Sequence, residues 1–190
     1  MSRLATLALG LSTSFLAAPA FAEQPFPTVD FQGEWVLTSD KGLQMRAQMH
    51  YLATPRKMRV DMEQHGMAMS SVRDMETGEL VMWSEQMPGM GMRLPSPKDE
   101  YEGERTDESK TVNGEGCTIW VMKMAEVCLT EDNIPLEVTT SNGIRSGLEN
   151  LERVAQDPAM FEVPAGLNIM NMPTGAAGGA GPQPGQGMPF

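Results

Sequence analysis

The segment 56–71 constrains the fold of this chain more than any other, because polar and apolar residues alternate along it on both sides of a glycine. Successive side chains of a β-strand point to opposite faces, so the alternation predicts two strands that share one apolar face. His65-Gly66 is the predicted turn between them, since glycine adopts positive φ without steric cost. A face so rich in thioethers is a core, the floor of an apolar pocket or a site for a soft metal ion. The residues on this predicted face are Met58, Val60, Met62, Met67 and Met69.

A two-residue turn at His65-Gly66 also fixes the register of this hairpin. A shift of one residue would move every methionine to the other face, so the register is a strict test of the prediction. The expected pairs are Met62 with Met69, Gln64 with Met67, and Val60 with Ser71.

Several other short segments have the composition of strands and lie between turn signals. The segments 33–38, 43–51, 80–83 and 90–94 are of this kind, and Leu43, Met45, Ala47, Met49 and Tyr51 alternate with polar residues. Asn-Gly pairs at 113–114 and 142–143 predict two further hairpin turns. No long helical pattern separates these segments. The expected fold is therefore mainly β, a curved antiparallel sheet that forms an incomplete (half) barrel with little helix.

The C-terminal third contains one ambiguous segment and one clear local signal. Leu148–Ala155 fits either a strand or a helix, since its apolar residues have helical spacing while its neighbours favour strands. Asp157-Pro158 predicts an N-cap followed by a proline at the first position of a single helical turn. A short last strand is expected over Leu167–Met170.

The two ends of the chain have compositions unlike the domain between them. Residues 1–22 combine a positive start, an apolar run and the small-x-small sequence Ala20-Phe21-Ala22, which is typical of a signal peptide cleaved after Ala22. Residues 174–190 are dominated by Gly, Pro, Ala and Gln, and we expect a disordered tail. One β-rich domain, residues 23–173, lies between them. The expected location is the periplasm.

Charge and motif content limit the classes of function. Removing Arg3 with the signal peptide leaves 13 basic and 25 acidic residues, a formal charge of −12, which argues against nucleic-acid binding. No mature segment is long and apolar enough to span a membrane as a helix. The chain contains no nucleophile elbow, phosphate-binding loop or zinc-protease motif, and its only histidines are His50 and His65. We therefore expect a protein that is not an enzyme.

Cys117 and Cys128 are the only cysteines of the chain. A bend at Met122-Lys123 would place them directly opposite each other on adjacent strands, at a separation suited to a disulfide. An exported protein lies in an oxidising compartment, so a structural disulfide is the prediction. A redox or metal-binding pair is the alternative, but the C-x-x-C spacing and a nearby histidine are missing.

Several short motifs resemble a bacterial family of exported proteins. They are Thr111–Gly114 followed by Cys117-Thr118, Ile134–Leu136, and the segment Asp157–Gly166, supported by Lys57–Val60 and Asp74–Gly78. The family is the domain of unknown function 4412, which is similar in fold to the lipoprotein-localisation carrier (LolA-like) superfamily. The resemblance extends from Glu34 to Met170. It implies a curved antiparallel sheet with one apolar concave face, and it implies no established activity.

Together these patterns favour a non-enzymatic, carrier-like binding module of the periplasm with an apolar concave face. The expected ligand is lipidic or otherwise hydrophobic, and no tightly bound cofactor is expected. The candidate ligand-binding residues are Met45, Met49, Met58, Val60, Met62, Met67, Met69, Met90 and Met92.

Two alternatives from other classes stay open. Thioethers are soft ligands that favour Cu(I), so Met62, His65, Met67 and Met69 could hold copper at the hairpin turn. The acidic polar faces and the flexible tail would instead suit a structural or interaction protein of the cell envelope, whose protein partner is unknown.

Overall fold

The computed structural model describes residues 22–23, 25–38, 44–64, 66–95 and 102–172. The predicted signal peptide up to residue 21, the tail 174–190, Leu43 and His65 lie outside these residues. The described part is almost entirely β-structure. Its strands are β1 (Ala22–Glu23), β2 (Phe31–Thr38), β3 (Gln44–Leu52), β4 (Lys57–Gln64), β5 (Met67–Asp74), β6 (Glu79–Ser84), β7 (Met90–Pro95), β8 (Glu102–Val112), β9 (Glu115–Met122), β10 (Ala125–Leu129), β11 (Pro135–Thr140), β12 (Arg145–Glu152) and β13 (Asn168–Asn171).

All of these strands belong to one sheet, in the order β1-β8-β9-β10-β11-β12-β2-β3-β4-β5-β6-β7-β13. Two antiparallel meanders, β2–β7 and β8–β12, are joined because β12 pairs with β2. In the part of the chain that the structure describes, β1 and β13 are edges, so the sheet is an incomplete barrel, as predicted. One detail differs from a purely antiparallel sheet: β13 pairs with β7 in parallel. The chain reaches β13 through a crossover segment and enters the sheet in the direction of β7.

The register of the β4–β5 hairpin is the predicted one. Met62 pairs with Met69, Gln64 with Met67, and Val60 with Ser71. Gly66 has φ of 76°, the left-handed conformation that makes glycine suitable for this turn. A pattern of alternating residues around one glycine was therefore sufficient to predict both the turn and the pairing.

One face of the sheet, called the inner face, forms the main hydrophobic core. Strands that are distant in the sheet order contribute to it, including Met49 of β3, Val127 of β10 and Leu148 of β12, and all are almost completely buried. A sheet can bury one face in this way only by curving around it, because the described residues contain no second layer over these side chains. The core therefore lies in the concavity of the half barrel.

The segment 25–30 closes one end of this concavity. Phe26 and Val29 pack against the core there, and the backbone N–H of Thr28 donates to the carbonyl of Asp132 at 3.1 Å. Arg56 lies over the Phe26 ring, 5.1 Å from its centroid. Inside this closed end, Phe31 and Tyr51 stack with ring centroids 5.4 Å apart. The other end, where β4 turns into β5 and β9 into β10, is called the open end.

The opposite, outer face is covered in part by the C-terminal segment. A 3-10 helix, Pro158–Phe161, begins at the N-cap Asp157, whose side chain accepts a hydrogen bond from the Ala159 N–H at 3.0 Å, as predicted. Phe161 is buried on this face. Gly91 of β7 lies under Leu167 and Ile169, and a Cβ there would be 3.4 Å from the Leu167 side chain. The segment that leads to β13 thus packs on the outer face of β4–β7.

Cys117 and Cys128 form the predicted disulfide, with 5.4 Å between their Cα atoms. The predicted bend is wrong by one residue: Cys128 pairs with Ile119, so the turn falls at Lys123-Met124 and the two cysteines are diagonal neighbours. No glycine or asparagine fixes the turn at this position, and both registers bring the cysteines to one face. With Leu136 they form a small second core on the outer face, against which Val112 and Ile119 pack.

Two further segments resolve questions that the sequence left open. Leu148–Ala155 is a strand up to Glu152 and irregular beyond it, with a register shift between Glu149 and Glu152 that interrupts the alternation. Glu102–Val112 forms the long strand β8, although its charged sequence predicted no element. β8 is an edge strand apart from its two-residue pairing with β1, and charged residues are typical of edge strands. None of the described helical segments is long and apolar enough to cross a membrane.

Candidate functional site

The open end of the half barrel is lined by apolar side chains of the inner face. Met62 and Met69 are direct cross-strand neighbours on β4 and β5, and Met45 lies at the same end of β3. Trp120 and Met122 reach this end from β9 and pack, like Met62, against the main core. All five side chains are half-buried. We call Met45, Met62, Met69, Trp120 and Met122 the apolar mouth.

The structure divides the predicted ligand-binding residues into three groups by exposure. Met49, Met58 and Val60 are buried in the main core, with at most 5% of each residue exposed. Met45, Met62, Met69 and Met92 are half-buried. Met67 and Met90 are exposed, by 47% and 41%. The half-buried group combines packing against the fold with a surface that a ligand can reach.

Trp120 and Met122 were not among the predicted site residues. Their strand was expected from its composition, and Thr118, Trp120 and Met122 do alternate with Cys117, Ile119 and Val121. The alternation separates the disulfide face from the opposite face, but it does not say what that opposite face contacts. The curvature of the sheet brings this face to the same core as β3 and β4, and curvature has no local sequence signal.

A second group of methionines lies at the β13 edge of the inner face. Met82 of β6 pairs with Met92 of β7, and Met92 pairs with Met170 of β13. Paired residues point to the same face of a sheet, so the three side chains lie side by side. Exposure rises towards the edge, since Met82 is 4% exposed and Met170 is 43% exposed. We call Met82, Met92 and Met170 the edge thioether row.

The outer face of the same strands carries a polar network. Arg59 donates two hydrogen bonds to Asp61, at 2.7 and 2.9 Å, and Ser70 donates a third at 2.6 Å. Arg59 also donates to the carbonyl of Met160 at 2.8 Å. Burial acts to raise the pKa of Asp61, but the hydrogen bonds from Arg59 and Ser70 outweigh it and hold this pKa below its usual value. Arg59 attaches the 3-10 helix to β4, and Asp61 and Ser70 hold Arg59 in the orientation for this contact.

Tyr51 is a buried side chain that takes no part in a hydrogen-bond network among the described residues. Burial raises the pKa of its phenol to about 12, and its hydroxyl has no hydrogen-bond partner among the described residues. The phenol therefore stays neutral at physiological pH and packs as an aromatic ring against Phe31.

The two histidines of the chain do not lie together in one described site. His50 lies on the outer face, where Nδ1 is 3.0 Å from Oε1 of Gln156. His65 lies outside the described residues. Of the four copper ligands suggested by the sequence, the structure therefore describes Met62, Met67 and Met69. Within residues 22–172, as far as they are described, no group of three or more His, Cys, Asp or Glu side chains could hold a metal ion.

Comparison with known proteins identifies the fold but no family. No family model matches the chain, and no curated protein matches it. Among solved structures, PNGF-II in a C2 crystal form is similar with a TM-score of 0.55 and 12% identity over 77% of this chain. An uncharacterized conserved protein from Thermus thermophilus is similar with the same TM-score and identity, over 76% of this chain and 91% of its own. The chain spans only 31% of PNGF-II.

Proposed function

We propose that this protein is a non-enzymatic, carrier-like module that binds one acyl chain, or a ligand of similar shape and polarity, at the apolar mouth. The observation that carries the proposal is the group of half-buried apolar side chains on the inner face at the open end of the barrel, Met62, Met69, Trp120 and Met122, which lie beside the main core. Ligand sites are typically concave and mostly apolar. The resemblance to the domain of unknown function 4412 family agrees with a concave binding face and belongs to the same proposal.

The composition of the mouth suits a flexible apolar ligand. Methionine is unbranched and polarizable, so it adapts to irregular partners better than branched side chains do. Burying about eight methylenes of an acyl chain contributes about 6 kcal/mol, whereas association costs at least about 4 kcal/mol in lost freedom. The net free energy is small, so the mouth holds a chain weakly and releases it readily. Weak and reversible binding is what a carrier requires.

Export to the periplasm belongs to this proposal as well. The disulfide between Cys117 and Cys128 is compatible with an oxidising compartment. Cleavage after Ala22 would leave only Glu23 of β1 and would remove the pairing of Ala22 with Gly103 of β8.

The proposal is tested by binding a fluorescent acyl probe to the purified protein. A double variant, Met62→Gln with Met69→Gln, keeps the side-chain length but places two amides in the mouth. We expect its affinity for the probe to fall by about tenfold or more, which corresponds to at least about 1.4 kcal/mol. A second readout is energy transfer from tryptophan to the bound probe, since Trp120 is part of the mouth.

The matched control is Val154→Gln, which adds an amide at an exposed residue of the segment after β12. Its affinity should equal that of the unmodified protein. The proposal fails when the unmodified protein does not bind the probe. It also fails when the mouth variant binds the probe equally well, provided that a cooperative thermal unfolding transition shows the variant to be folded. When the unmodified protein binds the probe and the mouth variant does not, native mass spectrometry of protein from its natural source identifies the ligand class.

A further inference from the structure

The edge thioether row has a composition that the acyl-chain proposal does not explain. Three methionines occupy the same level of three adjacent strands, and Met69 of β5 and Met90 of β7 are diagonal neighbours of Met82. An apolar face needs no such uniformity, because leucine, isoleucine and valine fill sheet faces equally well. A row of one residue type with a single soft donor atom points to coordination.

The geometry allows the three sulfur atoms to converge. Direct cross-strand neighbours have Cβ atoms about 5 Å apart, and each methionine has three rotatable bonds to bring its sulfur towards the central strand. Met92 is that central residue, with Met82 on one side and Met170 on the other. The exposed side chain of Met170 gives an ion a path from solvent along the β13 edge.

We propose that Met82, Met92 and Met170 form a binding site for Cu(I). Thioethers are soft ligands that select Cu(I) over harder ions, and Cu(I) is bound by few ligands. The ligands are neutral and leave one positive charge on the ion, which the formal charge of −11 of the chain favours electrostatically. Arg73 is the only charged residue on the described inner faces of β5, β6, β7 and β13, and it lies at the level of Leu80 rather than of the row.

The site differs from the one at the β4–β5 turn that the sequence suggested, and it does not depend on the acyl-chain proposal. Its ligands carry no titratable proton, so affinity should be the same at pH 7 and pH 5. A site that includes His65 would lose affinity on acidification, because a proton competes with the metal for the imidazole nitrogen.

The experiment is an anaerobic titration of the full-length protein with Cu(I), in competition with a chromophoric Cu(I) chelator. We expect one bound ion, and Met92→Leu should weaken its binding by about tenfold or more. Leucine conserves the volume and the apolar character of methionine, so the sheet should keep its stability. Met170→Leu gives the same test at an exposed residue of the edge strand.

Two controls decide the location of the ion. Met124→Leu replaces a methionine that is 67% exposed in the β9–β10 turn, and it should leave the affinity unchanged. The combined replacement of Met62, Met67 and Met69 by leucine should also have little effect. The proposal is overturned when no Cu(I) binds, when Met92→Leu and Met170→Leu bind it normally, or when only the hairpin variant loses it. Titration with Ag(I), followed through the methionine methyl resonances, should shift those of Met82, Met92 and Met170 most.

Discussion

At the scale of the residue, Asp61 has the most consequential environment on the outer face. Its carboxylate accepts hydrogen bonds from Arg59 and Ser70, and Arg59 in turn holds the carbonyl of Met160 and lies 5.9 Å from the Trp83 ring centroid. One carboxylate therefore orients the arginine that fastens the C-terminal segment to the sheet. The alternation along 56–71 puts Arg59 and Asp61 on the face opposite the methionines, but Met160 is 101 residues from Arg59 and no local pattern predicts that contact.

Replacing Asp61 by Asn should lower the free energy of unfolding at pH 7 by about 1.5–3 kcal/mol, the range for hydrogen bonds to charged groups. Because the pKa of Asp61 is lowered in the folded state, its stabilisation is present above the ordinary aspartate pKa and is lost as pH falls through the lowered value. Denaturant unfolding at pH 7 and pH 3 should therefore show a smaller pH dependence in Asp61→Asn. Glu63→Gln, an exposed carboxylate on the same face of β4, is the control and should behave like the unmodified protein.

At the scale of the element, the hairpins show what a local pattern determines. The β4–β5 and β8–β9 turns each contain a glycine in the left-handed conformation, Gly66 and Gly114, and both were predicted at the correct residues. The β9–β10 turn at Lys123-Met124 has no such residue, and its prediction was wrong by one position. Strand β8 went unpredicted because charged residues replaced the apolar alternation on which the other strands were recognised. A glycine that adopts positive φ in the turn therefore fixes the register of a hairpin, whereas the composition of its two strands does not.

Replacing Cys117 and Cys128 together by Ala should lower the free energy of unfolding by about 3 kcal/mol in the chain-entropy model. The disulfide closes a loop with a sequence separation of 11 residues, and it packs in the small outer core. Denaturant unfolding measures the loss. Acyl-probe binding should persist in the folded variant, since Trp120 and Met122 lie on the opposite face of β9. Thiols that react readily in the untreated native protein would contradict the disulfide itself.

At the scale of the whole molecule, burial is uneven along the sheet. Strands β2, β3, β11 and β12 lie at its centre and carry the main core, whereas β8 and β13 lie towards its edges. The half-barrel class was predictable from the repeated turns and alternating faces. The closed end formed by residues 25–30, the apolar mouth and the edge thioether row were not, because each depends on contacts between segments distant in sequence.

Amide hydrogen exchange should follow this distribution. Amides of β2 and β3 should exchange only through global unfolding, while those of β13 should exchange through local opening at much lower free energy. Mass spectrometry of peptides that cover 44–52 and 168–171 compares the two directly. Equal protection in the two peptides would show that the β13 edge is fixed as firmly as the centre.

The pairing of β2 with β12 also determines when this protein can acquire its structure. Trp35 pairs with Leu148, and these residues are separated by most of the domain. Long-range pairings of this kind cost loop-closure entropy before they contribute contacts, so they slow folding. Each meander alone leaves one long central strand without its partner and the core half exposed. The chain therefore stays without its native core until its C-terminal half is present, and such a delay suits the export that we propose, because a translocation channel admits an unfolded chain.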